Sequence, residues 1–474
     1  MATLVWFRND LRIADNPALL NACDDDEVIA CFVLSAAQWR EHDVGERRLA
    51  FLGRSVNALS TVLAHIGITL EILEAPRFAD VPGALLGLAH RVGAQRLVFN
   101  AEYPSNEQQR DDAVTASMRA HGIEVNRMHG SVTLPPGSVI TKKETPYSVY
   151  TPFKRRWLEL VHADQIRPLP PPSPQGQQVS PQHIESLAGI SIDLDRECAP
   201  GGEHRAHEQL AKFADNQLNR YAAARDVPCL AATSHLSAYL SVGTLSSNQC
   251  LHTAAQLNGD RLRGGVADAW IEQIIWRDFY RHIVALFPHV SRGCAFRRRY
   301  DAIAWRNAPG ELEAWQAGAT GYPMVDAGMR QLRRTGCMHN RLRMITAMFL
   351  TKHLLIDWRL GERYFMQQLL DGDFAANNGG WQWSASTGTD AAPYFRIFNP
   401  TTQGKRFDPR GTFTREILPE LSNVPDPHLF EPHKSGVEIE YPTQMVDHGY
   451  ARQRVIAEFV RIRSATPSTA TLEI

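Results

Sequence analysis

Within the first 130 residues, short runs rich in β-branched and aromatic side chains alternate with helical stretches, which commits that part of the chain to a parallel sheet with crossover helices. Leu4 to Phe7, Val28 to Leu34, Ile68 to Leu73, Arg96 to Phe99 and Ile123 to Arg127 read as strands, and Arg47 to His65, Val81 to Val92 and Asn106 to His121 as the helices between them. No GxGxxG follows the first strand. Its place is taken by Arg8-Asn9-Asp10-Leu11-Arg12, which argues against a dinucleotide site there.

From about His129 the texture changes. Pro135-Pro136-Gly137 and the prolines from Pro168 to Pro174 mark irregular backbone around a helix near Phe153 to Val161, and the stretch 168–182 reads as a linker laid over the surface. After about His204 the pattern is nearly all helical. The expected division is an α/β domain over 1–130, a linker over 131–203 and a helical domain over 204–474. A chain of 474 residues is long enough for two or three domains.

The short apolar run before Arg8 excludes a signal peptide, and no later run is long enough to span a membrane. Seven scattered cysteines (Cys23, Cys31, Cys198, Cys229, Cys250, Cys294, Cys337) include no CxxC pair, which points to a reducing cytoplasm and away from structural zinc. The net charge is −1, so a polyanion site must be a local patch. Arg261 to Arg299 holds eight arginines against Asp268, Glu272 and Asp278. With Arg330, Arg333, Arg334, Arg341, Arg343, Lys405, Arg406 and Arg410 this suggests a shared surface for nucleic acid. The tail from Arg463 to Ser468 is polar and expected to fray.

Five segments carry the chemistry. Thr233-Ser234-His235-Leu236-Ser237 precedes a helical run, where hydroxyls either cap exposed N–H groups or share them with a phosphate. Trp270, Gln273, Trp276 and Arg277 follow helical spacing; core packing accounts for the indoles but not for the amide and guanidinium, and an indole at a cleft can stack a base. Cys337, Asn340, Arg341 and Met344 sit at i, i+3, i+4 and i+7, a stripe suited to a pocket wall. Asp371-Gly372-Asp373 pairs two acids with no histidine or cysteine at ligand spacing, so they are expected to accept N–H or ribose hydrogen bonds rather than bind metal. In Asn377-Asn378-Gly379-Gly380-Trp381-Gln382-Trp383, a helix would turn Trp381 and Trp383 about 200° apart while Asn377 and Trp381 share a face.

Together, Trp276-Arg277-Asp278-Phe279-Tyr280, Met338-His339-Asn340-Arg341, Asp371-Gly372-Asp373, Asn377 through Trp383 and Phe395 through Lys405 resemble the photolyase–cryptochrome family. The resemblance starts at Val5-Trp6-Phe7-Arg8 and spans essentially the whole chain. Within the family the pattern is similar to the bacterial class I cyclobutane pyrimidine dimer photolyases. It implies an N-terminal α/β antenna domain and a helical domain holding FAD, active as the reduced anion. Family FAD contacts fall on Tyr221, Thr233, Ser234, Leu236, Ser237, Trp270, Arg277, Asn340, Asp371, Asp373 and Asn377. Damaged-DNA contacts fall on Gln273, Trp276, Asn340, Arg341, Met344 and Trp383. Trp381, Trp358 and Trp305 resemble the photoreduction relay. His42, Asn106 and Glu107 match positions that hold methenyltetrahydrofolate as antenna, with Arg292 where a lysine is common. The implied reaction is light-driven electron donation to a pyrimidine dimer in double-stranded DNA by a monomeric, cytoplasmic enzyme.

Three positions depart from the class I pattern. Gln273 stands for a glutamate, Cys337 for a tryptophan and His235 for an arginine. Glutamine is also what the six-four photolyases resemble at that position, but those carry histidines where this chain has Asn340 and Met344. Two rivals stand beside the repair reading. One is a cryptochrome-type photoreceptor, which would usually carry a longer C-terminal extension and lose the stacking indoles. The other is a DASH-type cryptochrome acting on single strands.

Overall fold

The computed structural model describes residues 2–23, 27–195 and 199–465; Cys198 and Thr466 to Ser468, named above, lie outside the described residues. The chain forms two compact units. The first comprises Met1–Ala222, Thr233–Ser291 and Leu370–Ala375, and the second Ala223–Ala232, Arg292–Leu369 and Ala376–Ile474.

The first unit is built on five strands, β1 (Ala2–Phe7), β2 (Val28–Leu34), β3 (Thr69–Glu74), β4 (Ala94–Asn100) and β5 (Glu124–Met128), in the order β3-β2-β1-β4-β5. Every neighbouring pair is parallel, with Val5 opposite Ala30 on one side and Val98 on the other. The central strand is buried almost throughout, because crossover helices cover both faces of a parallel sheet. These helices are α1 (Glu46–His65), α2 (Val81–Val92) and α3 (Ser105–Ala120). Leu4, Trp6, Leu85, Leu88, Leu97, Phe99, Val114 and Met118 make the core on one face. The expected strands and helices are all present, with ends displaced by a residue or two.

No strand or helix forms over 168–182. This stretch is tied to the end of α1 by Gln175 N–H donating to Ile66 O at 2.7 Å and Val179 N–H to Ala64 O at 3.1 Å. Gly67 turns there at φ 83°, and a Cβ on it would strike the Gly176 backbone.

Helices complete the first unit: α4 (Tyr150–Leu160), α5 (Glu203–Asn216), α6 (Ser237–Val242), α7 (Ser247–Leu257) and α8 (Asp268–Leu286). The second unit is helical, with α9 (Pro323–Thr335), α10 (Asn340–Met348), a π-helical turn (Phe349–His353), α11 (Trp358–Gln368), α12 (Phe374–Ala385, in this unit from Ala376), α13 (Pro400–Phe407) and α14 (His448–Ala465). Its core gathers Trp315, Phe349, Trp358, Phe365 and Trp381. Among the described residues, no helix is long and apolar enough to cross a membrane.

Candidate flavin, lesion and antenna residues

In the first unit the α8 residues divide by environment. Trp270 is 3% exposed, its ring 5.0 Å from Phe213, and belongs to the packed interior. Tyr221 is also buried and meets Phe213 edge-on. Gln273 is half-buried and donates to Ala269 O of its own helix at 3.3 Å. Trp276 lies flat against Tyr150, with centroids 3.6 Å apart and planes 9° apart.

Arg277 donates to Ser131 O at 2.5 Å, Ser247 Oγ at 2.9 Å and Leu240 O at 2.9 Å. Burial, with neighbouring Arg281, pushes its pKa down to about 9. Arg281 donates to Asp373 at 2.7 Å and to Ser131 Oγ at 3.1 Å. Both arginines were counted in the basic run, and Arg277 was also placed on a pocket face; both are turned inward, because buried guanidiniums need acceptors and find them here.

Arg48, on α1, was not singled out from the sequence. It is buried, donates to Ser241 Oγ at 2.7 Å and Asn9 Oδ1 at 3.2 Å, and although burial lowers its pKa it is attracted by the charges of Asp373 and Asp371. An arginine followed directly by Leu49-Ala50-Phe51-Leu52 was the available signal.

The segment before α6 corrects the capping alternative. Leu236 is the N-cap and no side chain caps this helix. Thr233 Oγ1 lies 3.4 Å from His235 Nε2, His235 takes a left-handed φ of 53°, and Ser234 O accepts from Gln209. Ser237 is exposed at the first turn. Among the described residues the hydroxyls of Ser234 and Ser237 are not spent on the helix end.

The three residues expected to hold an antenna cofactor converge. His42 Nε2 lies 2.9 Å from Asn106 Nδ2 and 3.0 Å from Gln38 Nε2, while its Nδ1 is 3.7 Å from Glu107. Burial lowers the His42 pKa, and burial with Glu102 pushes Glu107 up to about 7. Behind them lies a ladder of planar groups. Arg8 stacks on Phe99 at 4.7 Å and on Trp6 at 4.1 Å; Arg110 stacks on Trp6 at 4.8 Å and on Phe78 at 4.6 Å. Arg8 pairs with Asp111 at 2.8 Å, and Arg110 with Glu102 at 2.7 Å.

In the second unit the expected four-residue stripe is broken. Gly336 ends α9 at φ 68° and His339 caps α10, so Cys337 lies in the turn between helices, exposed, and shares no helix face with Asn340, Arg341 and Met344. Asn340 is exposed at the first position of α10. Arg341 pairs with Asp226 at 2.8 Å and sits over the Phe407 ring at 4.3 Å. Other members of the expected basic surface are also paired, Arg330 with Glu420 at 2.6 Å and Lys405 with Glu431 at 2.9 Å. Arg297, Arg298 and Arg299 are exposed.

On α12 the two indoles differ as expected. Trp381 is 2% exposed, 4.9 Å from Phe365 and 6.0 Å from Trp315, whereas Trp383 is half-buried. Asn377 Nδ2 donates to Glu362 O at 3.0 Å. Asn378 and Gln382, which no sequence argument had assigned, are buried in an amide network. Trp358 is fully buried and Trp305 half-buried. The indole N–H groups of Trp305 and Trp381 have no hydrogen-bond partner among the described residues.

Residues 3–175 match the DNA photolyase family and residues 270–461 the FAD binding domain of DNA photolyase. A deoxyribodipyrimidine photo-lyase of Salmonella typhimurium is 44% identical, over 97% of this chain and 98% of its own length. The crystal structure of a class III photolyase from Agrobacterium tumefaciens is similar with a TM-score of 0.88 and 36% identity, covering 98% of each chain. That of a Synechocystis cryptochrome is similar with a TM-score of 0.82 and 26% identity, covering 96% of this chain and 99% of the other. Whole-length identity at this level, joined to the parallel sheet and helical remainder described above, establishes that the chain belongs to the DNA photolyase family.

Proposed function

We propose that this protein is a light-driven DNA repair enzyme that opens the cyclobutane ring of pyrimidine dimers in double-stranded DNA, with FAD as its cofactor and as a monomer in the cytoplasm. The observation that carries the reading is whole-length identity to a relative named for that activity. Residues 1–130 then serve as the antenna domain, 131–203 as the linker and 204–474 as the flavin- and DNA-binding domain.

The residues present fit FAD. Hydroxyls at Thr233, Ser234 and Ser237 suit phosphate oxygens, and Asp371 and Asp373 suit N–H or ribose hydroxyl donors. Tyr221, Leu236, Trp270, Arg277 and Asn340 complete the assigned contacts. Asn377 spends its amide N–H on Glu362 and keeps Oδ1 to accept an N–H from the flavin ring. When bound, FAD supplies the electron on absorbing blue light. The protein's part is to bind, orient and set the local charge. Arg48, Arg277 and Arg281 place positive charge close to Asp371 and Asp373. Two buried indoles, Trp381 and Trp358, and a third with exposed surface, Trp305, suit a relay that refills an electron from outside.

Trp276, Arg341, Met344, Trp383, Asn340 and Gln273 are assigned to the lesion, which must leave the duplex stack to reach a flavin. His42, Asn106 and Glu107 are assigned to methenyltetrahydrofolate. The choice of cyclobutane dimers over six-four lesions rests on Asn340 and Met344.

One assay tests the reading: blue-light repair of a single thymine dimer in duplex and in single-stranded DNA. Repair of the duplex is expected. Repair of single strands alone would replace it by the DASH-type reading, and repair of neither by a photoreceptor.

A further inference from the structure

We propose that Tyr150 is the positioning residue for Trp276: it covers one face of the indole, holds its plane, and leaves a single face for the lesion. This rests on the assignment of Trp276 to the lesion. The two rings lie 3.6 Å apart and 9° from parallel, which is full face-to-face contact, so no base can enter on that side. Tyr150 is itself held. It is 5% exposed, opens α4, and its hydroxyl donates to Glu272 O, one turn before Trp276 on α8, at 3.0 Å. Glu272 is tied back to α4 by Lys154 Nζ at 2.8 Å.

The remaining aromatic neighbours do not cap the indole in the same way. Phe279 meets it edge-on at 80° and Tyr280 is tilted at 35°. Trp276 keeps exposed surface while Tyr150 beneath it is buried, so the indole, backed by the ring, is the member of the pair that solvent reaches. A free indole can rotate about two side-chain bonds and must be ordered when a base arrives. An indole already clamped on one face has met that cost before binding. Tyr150 thus turns a mobile ring into a one-sided platform, and the ring rather than the hydroxyl carries the effect.

The test compares dissociation constants for a duplex with one thymine dimer and for the same duplex undamaged, in Tyr150→Phe, Tyr150→Leu, Trp276→Ala and the Tyr150→Leu/Trp276→Ala pair. Tyr150→Phe keeps the ring and is expected to stay within about twofold of the parent for both duplexes. Tyr150→Leu is expected to weaken dimer binding by about three- to tenfold, leave undamaged binding unchanged, and cause no further loss once Trp276 is gone. The proposal is overturned if Tyr150→Phe loses as much as Tyr150→Leu, if Tyr150→Leu weakens both duplexes alike, or if its effect adds in full to that of Trp276→Ala. If Trp276→Ala itself leaves dimer affinity unchanged, the lesion assignment of Trp276 falls, and the proposal with it.

Discussion

Gln382 and Asn378 hold each other across one turn of α12: Gln382 Nε2 donates to Asn378 Oδ1 at 2.9 Å. Asn378 Nδ2 in turn donates to the Glu362 carboxylate at 2.8 Å, and Gln382 Oε1 accepts from Phe296 N–H at 2.7 Å. Both amides are about as buried as the indole of Trp381 between them. Asn378→Leu removes the centre of this network, taking one acceptor from the buried Gln382 amide and one donor from the half-buried Glu362 carboxylate, at a cost of about 1–3 kcal/mol in urea unfolding. Asn377→Ala, which loses one bond at a half-buried site, is expected to cost less than about 1.5 kcal/mol while altering flavin absorbance. Equal destabilisation by the two would contradict this division of labour.

Arg341 is engaged by Asp226 before any DNA arrives. Asp226→Asn frees the guanidinium and is expected to tighten binding to undamaged duplex. Arg341→Ala should weaken it and lower the slope of log affinity against log salt by about 1. A salt titration of both variants decides the matter, and an unchanged slope for Arg341→Ala would remove it from the phosphate contacts.

Lys352 is fully buried, with Nζ donating to Ser386 Oγ at 2.7 Å and lying 4.3 Å from the Phe459 ring centre. Burial pushes its pKa down from 10.5 to about 7. Between those values the unfolded chain holds a proton that the folded chain has given up, so the cost of burying this group is full below about 7 and shrinks as pH rises towards 10.5. Lys352→Met with Ser386→Ala should therefore stabilise the protein by on the order of 1–4 kcal/mol at pH 7 or below, with the gain shrinking at alkaline pH. Unfolding followed from neutral to alkaline pH would refute this if the gain were constant.

Gln273 makes its one identified hydrogen bond to its own helix. A glutamate there would offer a charge-assisted acceptor to a base, so Gln273→Glu is expected to raise dimer affinity or repair yield by a few-fold. If neither changes, the departure from the class I pattern has no functional weight.

The sheet was legible in the sequence because each strand is a local run with its own periodicity, and the strand ends fall within a residue or two of the reading. The indoles of α12 were legible for the same reason, since a helix fixes the angle between Trp381 and Trp383. Two kinds of feature were not. The stripe from Cys337 to Met344 failed because the helical period was carried back across His339, the N-cap at which α10 begins, into the turn that holds Cys337. Tyr150, Arg48 and Asn378 were missed because their roles come from partners distant in sequence, Trp276, Ser241 and Glu362, and no spacing rule reports a contact that the fold itself creates.

In open parallel sheets a ligand commonly enters the crevice where strand order reverses, beyond the carboxyl ends of the central strands. Here that place follows β1 and β4, and the chain has filled it with its own layers: Phe99, Arg8, Trp6, Arg110 and Phe78 stand ring against guanidinium, pinned by Asp111 and Glu102. The protein has in effect swallowed a substitute for a nucleotide. A chromophore at His42, Asn106 and Glu107 would then be a fitting on the rim and not a keystone. On that assignment it would come and go while the sheet beneath it kept its shape, so its loss would leave the integrity of the domain intact.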